Sequence, residues 1–569
     1  RDLYGSSYIL SFLAWAVCRA AKQQGHTVIS PALINVTQGM PNQIIIDGIF
    51  EQAEAKPAFN EAWGCIVYTC RQWIEDELSD TYRKDDYCWH RDWGLWAKHA
   101  WEFFAANGSD IPTARRRLND CKQSRAWTGI NWTGESSTLS GADAIAWPKL
   151  GYNNPRKTSY QDQKHGIETF YKTLSKRLGE AFIDPDEELS VPEVIKRMVT
   201  HEEVAKAVLK TFKARSHTEL TQKEEVQLLQ IANELNPRSF KDLNRLKQKD
   251  RKPDQPTEPK YWTGWFLGDG DNAGKYLKRH STPEVLTAFS AQMREWGSAI
   301  RDPEQSYLPG QGRMVYAGGD DFLGVLYERD AQLQSEICWQ WLSQFNKDFW
   351  RGRTLQARSA SFKYKANKPK PITASVGFVW AAPNVPQRDV LQHCHAAEQS
   401  AKRGGRDRIA FRILFNGGNH LEWVCPWWVL EDEYIDISKN QLGLAKPQAW
   451  THFYNDAAAL EGRHAFGANQ DGPIDVAKAL FQVYFGEASP VLDEAHWWNR
   501  YDANERLEFS GILGDATRFA IADPDHPDYG KPLAENRFVR KAINTWVINL
   551  AKAGFQLTRP VRSSQPAAA

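Results

Sequence analysis

Four consecutive residues combine a flexible backbone with acidic side chains. They are Gly318, Gly319, Asp320 and Asp321, between the apolar, strand-like runs 314–317 and 322–326. This pattern predicts a β-hairpin with an acidic tip. The glycines permit positive φ and let a phosphate approach the backbone, and adjacent carboxylates can hold Mg²⁺, which prefers oxygen ligands. The same dipeptides also mark ordinary exposed turns, so the tetrapeptide alone leaves a purely structural interpretation open.

A second acidic element strengthens the case for chemistry. Asp269 follows an apolar and aromatic run, residues 262–267, and precedes Gly270. Two metal ions that clamp a transferring phosphate need carboxylates from neighbouring strands. Asp269 at a strand end and Asp320 on a neighbouring hairpin could supply them. Together these residues predict a two-metal site for nucleotidyl transfer.

The elements that must position these carboxylates follow from hydrophobic periodicity. The predicted strands, besides the hairpin, are residues 262–267, 373–380 and 408–414, and the predicted helices are residues 283–300, 331–350 and 389–402. This order gives a βαββαβ core with an appended helix and strand.

Two cations lie at the end of the appended helix. Lys402 and Arg406 are four residues apart, and Gly404 and Gly405 between them predict the helix stop. If this helix end lies beside the acidic hairpin, both cations can bind one anionic ligand. A solvated basic helix end, favoured by the helix dipole, is the plainer alternative.

These segments resemble the large subunit of type III CRISPR effector complexes of the Cmr type, whose palm is similar to GGDEF nucleotidyl cyclases. The resemblance rests on residues 269–272, 317–321, 374–377 and 401–406, on the run 411–427 and, near the amino end, on residues 1–8 and 39–42. It spans most of the chain. It implies an α+β multidomain fold with a ferredoxin-like palm (βαββαβ), a second, degenerate palm-like domain at the amino end, and helical domains.

The resemblance also implies an activity, which is target-RNA-activated synthesis of cyclic oligoadenylate from ATP by two-metal nucleotidyl transfer. Asp269, Asp320 and Asp321 would be catalytic, and with the Gly270 carbonyl they would hold two Mg²⁺ or Mn²⁺ ions. The implied nucleotide-binding residues are Gly270, Asn272, Ala273, Gly318, Gly319, Lys402 and Arg406. The implied partners are crRNA, target RNA, a Cas5-like subunit, a small helical subunit and the backbone subunits.

Other functions stay open at this point. AMP could be transferred to another acceptor, or the chain could be a noncatalytic scaffold with a vestigial palm. Crowded carboxylates repel each other without a metal, which favours catalysis over the scaffold. A GGDEF-type dinucleotide cyclase or a template-dependent polymerase fits the flanking domains less well.

Two features found in many family members are not expected in this chain. His90 and Asp92 are separated by an arginine, and His201 is followed by two glutamates, so neither forms the His-Asp pair of an HD nuclease. We expect no DNase here and leave open an HD domain upstream of residue 1. The eight cysteines contain no Cys-x-x-Cys pair, and the stretch 136–141, where relatives hold zinc, has no thiol. Structural zinc is therefore not expected.

Composition predicts an intracellular, multidomain chain. The 569 residues carry a formal net charge of +1 and contain neither a membrane-length apolar run nor a visible secretory signal. Scattered cysteines agree with a reducing cytoplasm. The predicted domains are a palm-like α+β domain at 1–115, a mostly helical middle domain with a degenerate zinc region and a linker at 116–255, the GGDD palm at 256–428, and a helical domain at 429–569. The last contains predicted helices at 474–485 and 535–553.

A basic segment without acidic residues follows the predicted palm helix and is a candidate RNA or subunit contact. Its cations are Arg351, Arg353, Arg358, Lys363, Lys365, Lys368 and Lys370. Aromatic residues interleave with these charges, which suits phosphate contacts and base stacking. A solvated insertion is the alternative.

Overall fold

The structure is a computed structural model, and it describes most of the chain. The described residues are 2–36, 39–125, 134–150, 159–179, 182–216, 220–234, 261–301, 308, 310, 312–328, 331–351, 372–431, 434–435, 447–467, 472–523 and 525–559. The chain divides into two compact units. The first contains residues 1–244 and 277–297, and the second contains residues 245–276 and 298–569.

The described part of the first unit is mainly helical. Its elements before residue 244 are α1 (Asp2–Gln23), β1 (Thr27–Ser30), β2 (Ile45–Asp47), α2 (Gln52–Glu77), α3 (His90–His99), α4 (Ile111–Gln123), α5 (Tyr160–Leu178), α6 (Val191–Met198), α7 (Glu202–Ser216) and α8 (Gln222–Glu234). β1 and β2 pair antiparallel. Apolar side chains from Tyr8 to Leu228 form one buried core. The palm-like character of residues 1–115 stays a prediction.

The residues that match the predicted palm alternate strands and helices as the periodicity indicated. They form β3 (Thr263–Gly270), α9 (Ala273–Arg279), α10 (Pro283–Arg301), β4 (Arg313–Ala317), β5 (Phe322–Leu326), α11 (Ser335–Gln344), β6 (Ala374–Ala381), α12 (Gln387–Arg403), β7 (Arg408–Leu414) and β8 (His420–Pro426). A π-helical turn, Phe345–Trp350, continues α11. The predicted hairpin and the strand 408–414 are confirmed.

The predicted start of the helix after the hairpin is wrong. The helix expected from residue 331 begins only at Ser335. Gln332 instead uses its side-chain amide, which accepts from the Trp262 amide at 2.8 Å and donates to the Leu333 carbonyl at 2.6 Å. These contacts hold the segment before α11 against the start of β3.

The palm sheet has six strands in the order β4-β5-β3-β6-β7-β8. Neighbouring strands from β4 to β6 are antiparallel, β6 and β7 are parallel, and β7 and β8 are antiparallel. The first four strands with their helices form the predicted βαββαβ arrangement, and α12 is the crossover between the parallel pair. The α+β fold class with a palm is therefore confirmed.

Close packing fixes α12 on this sheet. Val390, Cys394, Ala397 and Ala401 form the buried stripe that the sequence predicted. At Gly377 of β6, a Cβ atom would lie 2.3 Å from the Glu398 amide nitrogen, so only glycine lets the helix approach this closely. The helix thereby presents its last two turns to the carboxyl-terminal part of β3.

The second unit ends in further helices. They are α13 (Trp427–Glu431), α14 (Pro447–Gly462), α15 (Asp475–Phe485) and α16 (Arg537–Thr558), with a short pair of strands, β9 (Arg500–Tyr501) and β10 (Leu507–Phe509). Both helices predicted here, at 474–485 and 535–553, are present, and the second begins at Arg537 and continues to Thr558. The Trp546 indole donates a hydrogen bond to the Val424 carbonyl at 2.9 Å, which ties α16 to β8. The four domain boundaries stay predictions.

Among the described helices, none has the length and hydrophobicity that crossing a bilayer requires.

Candidate active site

The three acidic residues of the predicted site lie together at one end of the palm sheet. Asp269 is the second-last residue of β3, and Asp320 and Asp321 end the turn between β4 and β5. The Gly270 amide donates a hydrogen bond to the Asp320 carbonyl at 3.1 Å, which fixes the turn against β3. Carboxylate oxygens of the three aspartates lie within 4.8 Å of one another. We call these three residues the acidic cluster.

The acidic cluster has more negative charge than its surroundings neutralise. Burial and the charge of Asp269 raise the pKa of Asp320 to about 6. Desolvation, a hydrogen bond with Asp269 and the charges of both neighbours raise the pKa of Asp321, although its side chain reaches solvent. Burial and the same negative charges also raise the pKa of the Tyr316 hydroxyl on β4. A bound cation would oppose each of these shifts.

Lys402 brings a positive charge to the acidic cluster. Its ammonium forms an ion pair with the Asp269 carboxylate and a second with Glu398 Oε1 at 2.5 Å. Glu398 lies one helical turn earlier on α12, and its side chain is 3% exposed. Burial opposes the lysine charge, but its hydrogen bonds and ion pairs with Asp269 and Glu398 outweigh burial and raise its pKa. Lys402 therefore bridges a buried carboxylate and the acidic cluster.

The donors of the acidic cluster fit a hard divalent cation. Three carboxylates offer oxygen ligands, the kind that Mg²⁺ and Mn²⁺ prefer. The raised pKa values of Asp320 and Asp321 indicate negative charge that such an ion would neutralise. Over the part of the chain that the structure describes, no other group of three or more His, Cys, Asp or Glu side chains comes so close. The eight cysteines are free thiols.

Asp271, two residues after Asp269, has a different role. Its carboxylate accepts hydrogen bonds from Thr373 Oγ1 at 2.8 Å, Ser375 Oγ at 2.6 Å and the Asp407 amide at 2.9 Å. Burial raises its pKa to about 6 despite these bonds. The Asp407 carboxylate in turn accepts from one Arg351 nitrogen at 2.7 and 2.8 Å. Asp271 thus joins the ends of β3 and β6 to the turn between α12 and β7.

The remaining predicted residues surround this centre. Asn272 is exposed and left-handed at φ 55°, and Ala273 is the buried first residue of α9. Gly318 and Gly319 form the hairpin turn, and a Cβ at Gly319 would meet no atom within 4 Å. Arg406 has φ 64°, and its guanidinium forms no hydrogen bond or ion pair with another described residue.

The candidate RNA or subunit contact falls mostly on residues for which the structure gives no description. Arg351 is described, and it binds Asp407. The others, Arg353, Arg358, Lys363, Lys365, Lys368 and Lys370, lie outside the described residues. Their role stays a prediction.

Sequence reasoning missed Glu398 and the structural role of Asp271. The i, i+4 spacing of Glu398 and Lys402 was a usable signal, since such residues share a helix face. Asp271 stood inside a quoted motif, but its partners Ser375 and Asp407 are 104 and 136 residues away. Only the register of β3 and β6 and the turn between α12 and β7 reveal that role.

Comparison with known proteins agrees with this geometry. Residues 263–410 match the family model of the second palm domain of Cas10/Cmr2. No curated protein sequence gives a significant match. Among solved structures, the chain is similar to the type III-B Cmr-beta complex in its apo state, with a TM-score of 0.46 and 11% identity, covering 97% of this chain and 80% of that chain.

Similarity to Csm1 structures is more partial. Csm1 of T. onnurineus gives a TM-score of 0.25 at 15% identity and covers 52% of this chain and 39% of that chain. A Csm1-Csm4 cassette in complex with cA4 gives 0.25 at 17% identity and covers 50% of this chain and 36% of that chain. This chain thus spans less than half of these two relatives.

The six-stranded sheet with an acidic hairpin at its end defines a palm domain of the nucleotidyltransferase type. Within that class, residues 263–410 are similar to the second palm domain of Cas10/Cmr2, whose family model they match. This match confirms the resemblance to that family over residues 263–410. The expected lack of an HD nuclease domain stays a prediction.

Proposed function

We propose that this chain synthesises cyclic oligoadenylate from ATP, within a type III CRISPR effector complex and in response to target RNA. The observation that carries the proposal is the acidic cluster, in which three carboxylates from β3 and the neighbouring hairpin approach within 4.8 Å. Such a cluster raises the free energy of the folded protein unless a cation occupies it. In a vestigial palm that binds no cation, this arrangement would only destabilise the fold.

The proposed reaction joins the 3′-hydroxyl of one ATP to the α-phosphate of another. A bond forms from O3′ to phosphorus, the bond to the bridging oxygen breaks, and pyrophosphate leaves. Asp269, Asp320 and the Gly270 carbonyl would hold two Mg²⁺ or Mn²⁺ ions. When bound, these ions would lower the pKa of the 3′-hydroxyl and neutralise the charge of the phosphate. Asp321, whose carboxylate lies within 4.8 Å of the other two, would assist as a metal ligand or accept the hydroxyl proton.

Cations of the α12 end would bind the phosphates. Lys402 is already held at the acidic cluster by Asp269 and Glu398. The Arg406 guanidinium interacts electrostatically with Tyr501 but forms no hydrogen bond or ion pair with a described residue, so its donors can bind an anionic ligand. Gly319 leaves the hairpin turn open for a phosphate to approach, since a Cβ there would meet no atom within 4 Å.

The proposed partners follow from the family. They are crRNA and target RNA, a Cas5-like subunit, a small helical subunit and the backbone subunits of a Cmr-type complex. The basic segment that follows Arg351 is the proposed RNA or subunit contact. Binding of target RNA by the assembled complex would start synthesis.

The test is to incubate the assembled complex with labelled ATP and Mg²⁺, with and without complementary target RNA, and to resolve products by mass. We expect cyclic oligoadenylate only with target RNA. Asp320→Ala with Asp321→Ala should abolish the product and leave assembly intact. The matched control is Asp85→Ala with Asp86→Ala, an adjacent pair remote in sequence, which should keep full synthesis.

Other products would redirect the proposal. An AMP conjugate formed with a supplied acceptor would keep the site and change the reaction. Synthesis that survives loss of Asp320 and Asp321 would refute the site. No product from an assembled, target-bound complex would favour the noncatalytic scaffold.

A further inference from the structure

The turn between α12 and β7 has an unusual backbone. Gly405, Arg406 and Asp407 have φ values of 122°, 64° and 51°. Two successive non-glycine residues in the left-handed region are uncommon, because their Cβ atoms crowd the backbone there. Such a turn persists only where its surroundings hold it.

One side of the turn is held by the palm itself. The Asp407 amide binds Asp271, and the Asp407 carboxylate binds Arg351. These contacts fix the residue after Arg406. They leave the Arg406 carbonyl and the preceding peptide to other partners.

The other side is held by the carboxy-terminal part of the chain. Asn499 Nδ2 donates to the Gly405 carbonyl at 2.9 Å, and Ser510 Oγ donates to the Arg406 carbonyl at 2.9 Å. Arg408 Nε donates to the same Arg406 carbonyl at 3.0 Å. A second Arg408 nitrogen donates to Ser510 Oγ at 2.9 Å, and Arg408 is 1% exposed. The contact between the two segments is therefore buried and hydrogen-bonded on several sides.

Two glycines let the segments meet. A Cβ at Gly514 would lie 1.9 Å from the Gly404 carbonyl oxygen, and a Cβ at Gly405 would lie 2.8 Å from the Gly514 Cα. Both glycines also have positive φ. Larger residues at either position would push the turn away from the carboxy-terminal segment.

We propose that Asn499, Ser510 and Gly514 form a C-terminal clamp that positions Arg406 for the phosphates of the bound nucleotide. This inference rests on the proposed function, because it takes ATP as the ligand. The three clamp residues are positioning residues, since they act through the backbone of the turn. The clamp explains how the backbone of Arg406 is fixed, because its carbonyl accepts hydrogen bonds from Arg408 Nε and Ser510 Oγ.

The first measurement needs no nucleotide. Hydrogen exchange of the full-length protein should show faster exchange of the amides of residues 405–408 in Asn499→Ala and in Ser510→Ala than in the unchanged protein. Asn504→Ala, an exposed asparagine nearby in the same segment, is the matched control and should leave exchange unchanged. Unchanged exchange in both clamp variants, with unchanged thermal unfolding, would overturn the clamp.

The second measurement addresses the nucleotide. With MgATP as the probe, Asn499→Ala should weaken binding by about three- to tenfold, the effect of roughly one hydrogen bond. Arg406→Ala should weaken binding as well, and the double variant should bind no more weakly than Arg406→Ala alone. If the loss of MgATP affinity in the double variant equals the product of the losses in the two single variants, Asn499 does not act through Arg406.

The two measurements separate the inference from the proposed function. Faster amide exchange in the clamp variants, together with a double variant that binds MgATP as Arg406→Ala does, supports both the clamp and the proposed function. Faster exchange in a protein that binds MgATP neither before nor after substitution would refute the nucleotide ligand and retain a clamp for the turn. Unchanged exchange beside normal MgATP binding would refute the clamp and leave the proposed function standing.

Discussion

Asp320 and Asp321 hold a proton more tightly than an isolated aspartate does, because burial and neighbouring carboxylates oppose their charge. The pKa of Asp320 is about 6 in the folded protein, against an ordinary 3.8. Between these values the folded protein binds more protons than the unfolded chain. Stability of the metal-free protein therefore falls as pH rises through this window, and it stays lower above it.

We predict that Asp320→Asn stabilises the metal-free protein at pH 8 by up to about 3 kcal/mol, the free energy of a pKa shift of about two units. At pH 4 the substitution should have little effect, since Asp320 is then mostly protonated. Calorimetric unfolding in EDTA at both pH values measures this. Asp85→Asn is the control, because Asp85 is an exposed residue outside the acidic cluster.

Mg²⁺ adds a second readout to the same variant. It should raise the unfolding temperature of the unchanged protein at pH 8 and do so much less in Asp320→Asn, because a ligand that binds only the folded state stabilises it. Equal Mg²⁺ stabilisation of both proteins would contradict metal binding at Asp320.

Glu398 and Asp269 compete for the Lys402 ammonium. We predict that Glu398→Gln removes one competitor, strengthens the pair between Lys402 and Asp269, and so raises the Mg²⁺ concentration needed for half-maximal synthesis by several-fold. Lys402→Met should have the opposite effect on Mg²⁺ affinity and still reduce synthesis, because a phosphate contact is lost. Mg²⁺ titrations of activity and of thermal unfolding test both. A lowered Mg²⁺ requirement in Glu398→Gln would contradict the competition of Glu398 and Asp269 for Lys402.

Elements with their own periodicity were predictable from the sequence. The hairpin around Gly318 and the buried stripe of α12 depend on local spacing, so the sequence sufficed for both. The network around Asp271 was not predictable, because it depends on the register between β3 and β6, which places Asp269 opposite Ser375. Three of the partners of Arg408, in residues 510–512, lie 102 to 104 residues further along the chain, which no local pattern encodes.

At the scale of elements, Asp271 joins three of them. We predict that Asp271→Ala destabilises the protein by about 3 kcal/mol, because Thr373, Ser375 and the Asp407 amide would lose a buried acceptor. Asp271→Asn keeps an acceptor oxygen and should lose less. Chemical denaturation in EDTA measures both without involving a metal.

The control for this prediction is Asp389→Ala, near the exposed start of α12, which should change stability little. If Asp271 served as a metal ligand and not as a structural link, its loss would leave stability in EDTA unchanged and would abolish the stabilisation by Mg²⁺. That outcome would reassign Asp271 to the metal site.

At the scale of the whole molecule, the chain order and the compact units do not coincide. The first unit takes up residues 277–297, which lie between β3 and β4 in sequence. Within this unit Arg294 of α10 is 1% exposed, and it donates to the Gly39 carbonyl at 2.8 Å and the Asn35 carbonyl at 2.7 Å. Thr287 also donates to the Ile29 carbonyl, at 3.3 Å. The amino-terminal unit is therefore completed by a helix from the palm.

This arrangement predicts how a divided chain behaves. The Lys-, Asp- and Pro-rich run 237–260 reads as a linker, so we expect fragments 1–260 and 261–569 to purify together when expressed as separate chains. Arg294→Ala should weaken their association by tenfold or more, since the buried Gly39 carbonyl and the part-buried Asn35 carbonyl lose their donor, at about 1–3 kcal/mol each. The adjacent Glu295→Ala, at an exposed position, should not weaken it. Tagged pull-down and titration of the two fragments measure the affinity. Fragments that fold separately and do not associate would show that the first unit does not need α10. The boundary between the units would then lie in the linker, residues 237–260.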